Sequence, residues 1–166
     1  TADALAHLFA LVTPLSTETV PLRHAAGRTL SQDVTATRDQ PPFAASAMDG
    51  YAVRAMDVAA GAAFAVIGEA AAGHGFAGAV GAGQATRIFT GAPLPQGANR
   101  VLIQEDVTRQ ADTITLNAAY DQSAYVRPAG ADFKAGDKIA APRLISPSDV
   151  ALLAAMNAAQ VPVTRK

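Results

Sequence analysis

The chain contains no cysteine and no tryptophan, and only 5% of its 166 residues are aromatic. Without cysteine there can be no disulfide framework, thiolate metal site or thiol nucleophile, and a reducing compartment is favoured. Thirteen basic residues against fourteen acidic ones leave a formal net charge of −1. Such a balance offers no general attraction to nucleic acid or to an anionic membrane surface. No apolar run approaches the roughly 18 residues of a membrane span, and the acidic, proline-interrupted N-terminus lacks a signal-peptide pattern. The expectation is a soluble, cytoplasmic protein with neither nucleic acid nor membrane as partner. His7, His24 and His74 are far apart and show no metal-ligand spacing.

What is present is alanine-rich apolar sequence punctuated by Gly and Pro. A compact fold of this length buries about 70% of its unfolded surface, so it needs no covalent staples. Leu5, Leu8, Phe9 and Val12 fall on one helical face after Asp3, which predicts a short helix from Ala4 to Val12, ended by Thr13-Pro14. Val20 to Leu22 reads as extended, Ala25 to Arg28 as a turn, and Leu30 to Thr37 as a strand. Short β-like runs follow at Tyr51 to Val53, Phe64 to Ile67, Ala85 to Phe89, Val101 to Thr108 and Thr113 to Leu116, which argues for a twisted or barrel-like sheet. Gly68 to Gly83 holds six glycines and reads as a loop with at most a short strand around Phe76. Ser146-Pro147-Ser148-Asp149 has the pattern of a capping box before a helix to Met156, with Asn157 able to turn left-handed at its end. Arg165-Lys166 follows without a closing element, and truncation is the expectation there.

The stretch from Gln40 to Val53 is the most suggestive. Pro41 and Pro42 stiffen its entry, and Asp49-Gly50 supplies tight-turn chemistry. The plain reading is a hairpin turn. The functional one makes Asp49 a base, a ligand or an acceptor, with Ser46, Ala47 and Gly50 small enough to let a substrate close in. Thr90-Gly91, before Ala92-Pro93-Leu94-Pro95, exposes a hydroxyl and backbone amides at a strand end. An anionic oxygen could be received there, and a stiff loop explains the same residues. Glu105 and Asp106, read as strand residues, would point to opposite faces and make no paired-carboxylate site. Arg127, Asp132, Lys134 and Asp137 read as charges that organise two successive turns; a basic pocket from Arg127, Lys134 and Lys138 is diluted by the acids between them.

Three segments together, Pro41-Pro42-Phe43-x-x-Ser46-Ala47-Met48-Asp49-Gly50-Tyr51-Ala52-Val53, Ile88-Phe89-Thr90-Gly91-Ala92-Pro93-Leu94-Pro95 and Gln104-Glu105-Asp106, resemble the N-terminal region of the MoeA family, the molybdopterin molybdenumtransferases. The likeness runs from about Pro14 to Val163, and the gephyrin E domain is similar to the same family. It implies a fold that is mainly β with short helices. A β-rich, barrel-like module at 46–127 is inserted into an elongated α+β module at 17–45 and 128–163, after an N-terminal helix at 1–16. The implied reaction inserts molybdate into adenylylated molybdopterin and releases AMP, with magnesium as cofactor of the full-length enzyme and a homodimer as its assembly. By motif, Asp49 and Thr90 are carried over as catalytic, and Ser46, Met48, Gly50 and Gly91 as substrate-binding, with no metal ligand assigned. The family's α/β domain and C-terminal β domain are missing, so the fragment is expected to be inactive alone and to bind no magnesium. Asn99 stands where many members have Asp, and Asn157 where a helix-ending Gly is usual. A non-catalytic dimerisation or scaffolding module of gephyrin type is the alternative. A hydrolase using Asp49 with Glu105 or Asp106 lacks a nucleophile and a metal cluster.

Overall fold

The computed structural model describes residues 2–13 and 15–166; Pro14, expected at the end of the first helix, lies outside them. The fold is mainly β with two α-helices. In chain order come α1 (Ala2–Ala10), β1 (Thr17–Pro21), β2 (Thr29–Leu30), β3 (Val34–Thr35), β4 (Ala45–Ser46), β5 (Gly50–Val53), β6 (Ala63–Ala70) and β7 (Gln84–Ile88). There follow β8 (Arg100–Ile103), β9 (Val107–Gln110), β10 (Thr113–Leu116), β11 (Val126–Arg127), β12 (Lys138–Ile139), β13 (Arg143–Leu144), α2 (Pro147–Ala155) and β14 (Gln160–Thr164). The chain divides into two compact units, Thr1–Asp39 with Phe133–Lys166, and Gln40–Asp132.

In the first unit a four-stranded sheet has the order β1-β14-β2-β13, and β12 pairs with β3. Leu30, Ile145, Leu153, Met156, Val161 and Val163 form its core. α2 starts as its sequence predicts. The Ser146 hydroxyl accepts from the Asp149 amide at 3.1 Å, and the Asp149 carboxylate accepts from the Ser146 amide at 2.9 Å. It ends on Asn157 at φ 68°, a conformation that asparagine tolerates. The run from Leu30 to Thr37 is broken into the separate short strands β2 and β3. α1 runs from Ala2 to Ala10 rather than from Ala4 to Val12, so of the predicted apolar face only Leu5, Leu8 and Phe9 are helical; they stay exposed, with Phe9 at 71% and Leu8 at 60% of full accessibility, and Asp3 lies inside the first turn rather than capping it.

In the second unit a six-stranded sheet has the order β8-β5-β7-β6-β10-β9, a curled half-barrel whose open edges are β8 and β9. Strand β5, one in from the β8 edge, is buried along its whole length. Alternation divides its side chains between two clusters: Tyr51 and Val53 pack with Phe64, Leu102 and Ile114, whereas Ala52 packs with Ile88, Ala92 and Val101. Apolar cores on both faces fix the register, because a one-residue slip would exchange the two sets.

Two local readings change. β6 continues through Gly68 to Ala70, and no strand forms at Phe76. Instead the Phe76 ring lies against Gly68 and Gly78, where an added Cβ would come within 2.4 and 2.6 Å of it. Those glycines make room for one of the few aromatic rings. The run from Val101 to Thr108 is also interrupted: Gln104–Asp106 is a turn of 3₁₀ helix between β8 and β9. The opposite-face argument for Glu105 and Asp106 therefore fails, although they still do not pair. Glu105 accepts from the Gln104 side chain at 3.2 Å, and Asp106 accepts from the Asp121 amide at 2.8 Å.

Candidate functional site

Asp49-Gly50 is not a hairpin turn, because β4 and β5 do not pair with each other: β4 pairs with β11, and β5 with β7 and β8. The physical demand on Gly50 is close approach. A Cβ there would sit 1.9 Å from the Leu102 carbonyl oxygen of β8. What Gly50 lets in is a neighbouring strand.

Short strand β4 gathers the separate motifs. On one side Ser46 is bonded to the segment after β7, donating its amide to Ala92 O at 3.0 Å and accepting from the Gly91 amide at 2.9 Å. On the other side Val126 and Arg127 of β11 pair with Ser46 and Ala45. Beyond β4, the Ser46 hydroxyl, almost fully buried, donates to Met48 O, a local turn that fixes the path to Asp49. Gly91 has φ 82°, in the left-handed region where a side chain is strained.

The two residues carried over as catalytic meet. One carboxylate oxygen of Asp49, Oδ1, accepts both the Thr90 amide and the Thr90 hydroxyl, each at 2.8 Å. These two bonds, helped by the Arg87 charge, hold the Asp49 carboxyl below the usual carboxylate range against a partly opposing desolvation. Oδ2 has no hydrogen-bond partner among the described residues. Beside the pair lies a recess of about 420 Å³ lined by Pro41, Pro42, Ser46, Thr90, Gly91 and Arg127, among others. Asp49 touches it through Thr90. Met48 is exposed and Gly50 buried, and neither lines it.

Arg127, set aside in the sequence as part of a diluted basic pocket with Lys134 and Lys138, lines the recess. The mixed charge around it is real, since Arg127 is ion-paired with Asp132, and Asp137 accepts from the Lys134 amide at 2.8 Å. Only strand pairing across a long sequence gap sets Arg127 opposite Ala45 and beside the recess. Asn99 needs no charge: its side-chain oxygen accepts from the Ala55 amide at 2.7 Å. No cluster of three or more acidic, His or Cys side chains occurs among the described residues. A magnesium site takes one or two carboxylates together with substrate phosphates and water. Asp49 offers one open oxygen, so these residues do not by themselves make such a site.

Comparison with known proteins gives the family. The family described as "MoeA N-terminal region (domain I and II)" matches residues 1–157. The chain belongs to the MoeA family. It is similar to molybdopterin molybdenumtransferases: that of Haemophilus influenzae is 36% identical over 155 residues, covering 92% of this chain and 38% of the relative. That of Synechococcus elongatus is 32% identical over 160 residues, covering 92% and 40%. A solved MoeA structure from Pyrococcus horikoshii, titled a molybdopterin biosynthesis protein, superposes with a TM-score of 0.89 at 36% identity, covering 99% of this chain and 45% of that one. The chain thus spans less than half the length of the relatives it matches.

Proposed function

We propose that this chain supplies one wall of a molybdenumtransferase cleft in molybdenum-cofactor biosynthesis, where molybdate is inserted into the dithiolene of adenylylated molybdopterin and AMP is released. The observation that carries the reading is the Asp49–Thr90 pair set against the recess shared by Ser46, Gly91 and Arg127. Relatives that bear the name of this transferase support it.

The geometry narrows the roles. A carboxylate held below its ordinary range is a weak general base near neutral pH, so Asp49 acts through Oδ2 as a fixed acceptor that orients a substrate N–H or O–H. Thr90 gives both its protons to Asp49. Its hydroxyl oxygen therefore accepts from substrate, and stabilising an oxyanion falls to the Arg127 guanidinium. Asp132 anchors that guanidinium and tempers its charge. Were magnesium to serve this cleft, Asp49 Oδ2 would be the one open carboxylate oxygen here to meet it, and substrate oxygens and water would have to supply the rest. Two copies of the working enzyme form a homodimer in the cytoplasm, and the 166 residues alone do not turn over.

The test is a chimera in which this chain replaces the matching segment of the Haemophilus influenzae relative. The chimera is expected to release AMP from adenylylated molybdopterin in the presence of molybdate and to run as a dimer by light scattering. Asp49→Asn and Thr90→Val should each slow it. Chimera rates in both variants would remove the pair from the reaction, and turnover by the isolated chain would overturn its dependence on the rest of the enzyme. Assembly of the chimera without AMP release would favour the scaffolding reading.

A further inference from the structure

Arg87 is the charged residue whose field reaches the Asp49 carboxyl, and the roles above leave it unused. It lies on β7, one residue from Ile88, whose backbone pairs with Gly50. Its guanidinium carbon is 5.1 Å from the centre of the Tyr51 ring and 4.7 Å from that of Phe89. Both distances are within range for a cation held against aromatic faces. Tyr51 is almost fully buried, so one of those faces is fixed by the core.

The fork is used in two directions. Nη1 donates to Gly50 O at 3.2 Å, and Nη2 donates to the Gln104 side-chain oxygen at 2.8 Å. Gln104 in turn donates its backbone amide to Asp49 O at 3.1 Å and its side-chain amide to Glu105 at 3.2 Å. The carbonyls of Asp49 and Gly50 are therefore both held by one assembly. It also gives Gln104 and Glu105 of the Gln104-Glu105-Asp106 motif a place, whereas Asp106 accepts from the Asp121 amide.

We propose that Arg87 and Gln104 are positioning residues: the guanidinium, held against Tyr51 and Phe89, locks the Asp49-Gly50 backbone so that the Asp49 carboxylate meets Thr90 and keeps its outer oxygen turned to substrate. A point charge could not do this, because tying two acceptors in different directions while lying flat on rings needs the planar fork. Three groups reach Asp49 here: Thr90 by hydrogen bonds, Arg87 by its field, and Gln104 through the backbone. Around the guanidinium itself, Glu105 lies beyond the Gln104 side chain, Glu69 of β6 stands in register with Arg87, and Arg109 and Asp112 line the same recess.

The proposal rests on the cleft reading only for its consequence in catalysis, and the test separates the two. In the 166-residue chain, the Thr90 amide proton and the Asp49 carboxyl carbon are followed by NMR through an acid titration, with Asp49→Asn for assignment. Arg87→Met should weaken the Thr90–Asp49 bond, moving the Thr90 amide upfield, speeding its hydrogen exchange and raising the Asp49 midpoint. Arg87→Lys should restore little of this. Gln104→Leu, which leaves the sheet residues untouched, should act in the same direction and serves if the Arg87 variants do not fold. Full restoration by Lys, or unmoved Thr90 and Asp49 signals in all three variants, would overturn the proposal. In the Haemophilus chimera, Arg87→Lys should lower kcat about tenfold or more with KM nearly unchanged, as displacement of a reacting group does. Displaced NMR signals with unchanged kcat would uphold the positioning role and remove Asp49 from the reaction. A fall in kcat with undisplaced signals would overturn positioning.

Discussion

Gly50 carries the sharpest structural prediction, because its neighbour is backbone that cannot swing aside. In Gly50→Ala the new Cβ starts 1.9 Å from Leu102 O and 2.8 Å from Leu102 C. An ordinary C···O contact is about 3.3 Å, so β5 and β8 must part by roughly 1.4 Å at that point. Overpacking of this kind costs about 1–3 kcal/mol. Separation also weakens the Gly50–Ile103 pairing, where a lost hydrogen bond costs about 1 kcal/mol. The sum is roughly 2–4 kcal/mol. For a unit of this size each kcal/mol lowers Tm by about 4–8 °C, so a drop of at least about 8 °C is expected. Tyr51, Tyr120 and Tyr125 are the only tyrosines and there is no tryptophan, so tyrosine fluorescence reports the unit Gln40–Asp132 alone. Gly91→Ala is the comparison: nothing lies within 4 Å of its Cβ position, leaving only left-handed strain of about 1–2 kcal/mol. If Gly50→Ala melts as high as Gly91→Ala, close approach of β8 is not what selects glycine at this position.

Further expectations concern both units. Arg143, together with the Ser146 amide and hydroxyl, holds Asp149 down at about 2. A folded value below the unfolded one gives stability that is full above the ordinary carboxylate range and is lost as pH falls through about 2. Urea unfolding followed by far-UV circular dichroism should show this loss between about pH 4 and 2, reduced in Asp149→Asn, with a remainder from Glu18, which Arg28 also holds low. Ser146→Ala should cost about 1 kcal/mol as a lost N-cap, and an unchanged midpoint would argue against the capping box. Gly68→Ala should destabilise by pressing on the Phe76 ring, and should cost measurably less in a Phe76→Ala background, a coupling readable in a double-mutant cycle. Phe9→Ser should leave stability within about 0.5 kcal/mol, because its side chain stands in solvent.

Local chemistry was legible wherever local chemistry decides. α2 announces itself because Ser146, Pro147 and Asp149 satisfy the first amides of the helix within a few residues, and Asn157 ends it by its own backbone preference. Many of the short strands show as apolar runs between turn residues. Misreadings came where a distant partner overrides the local pattern. Asp49-Gly50 has the composition of a hairpin turn, yet Gly50 is selected by a carbonyl on β8. Gln104–Asp106 continues an apolar run but turns into a 3₁₀ helix. Leu5, Leu8 and Phe9 share a helical face of α1 as their period predicts, Val12 falls past its end, and the face is still unburied, since periodicity tells which side chains align and not whether anything covers them.

Taken by itself, the sequence determined the family, the mainly β character, the capped helix and the motifs that carry Asp49 and Thr90. Their relation to one another was decided only in three dimensions. Asp49 and Thr90 are 41 residues apart, and β4 joins the strand that carries Arg127 to the segment after β7, so the recess exists only once those pairings form. Hydrogen-bond direction came the same way: the Thr90 proton is already committed to Asp49, which turns an expected donor into an acceptor and leaves Arg127 and Arg87 with roles that spacing along the chain could not assign.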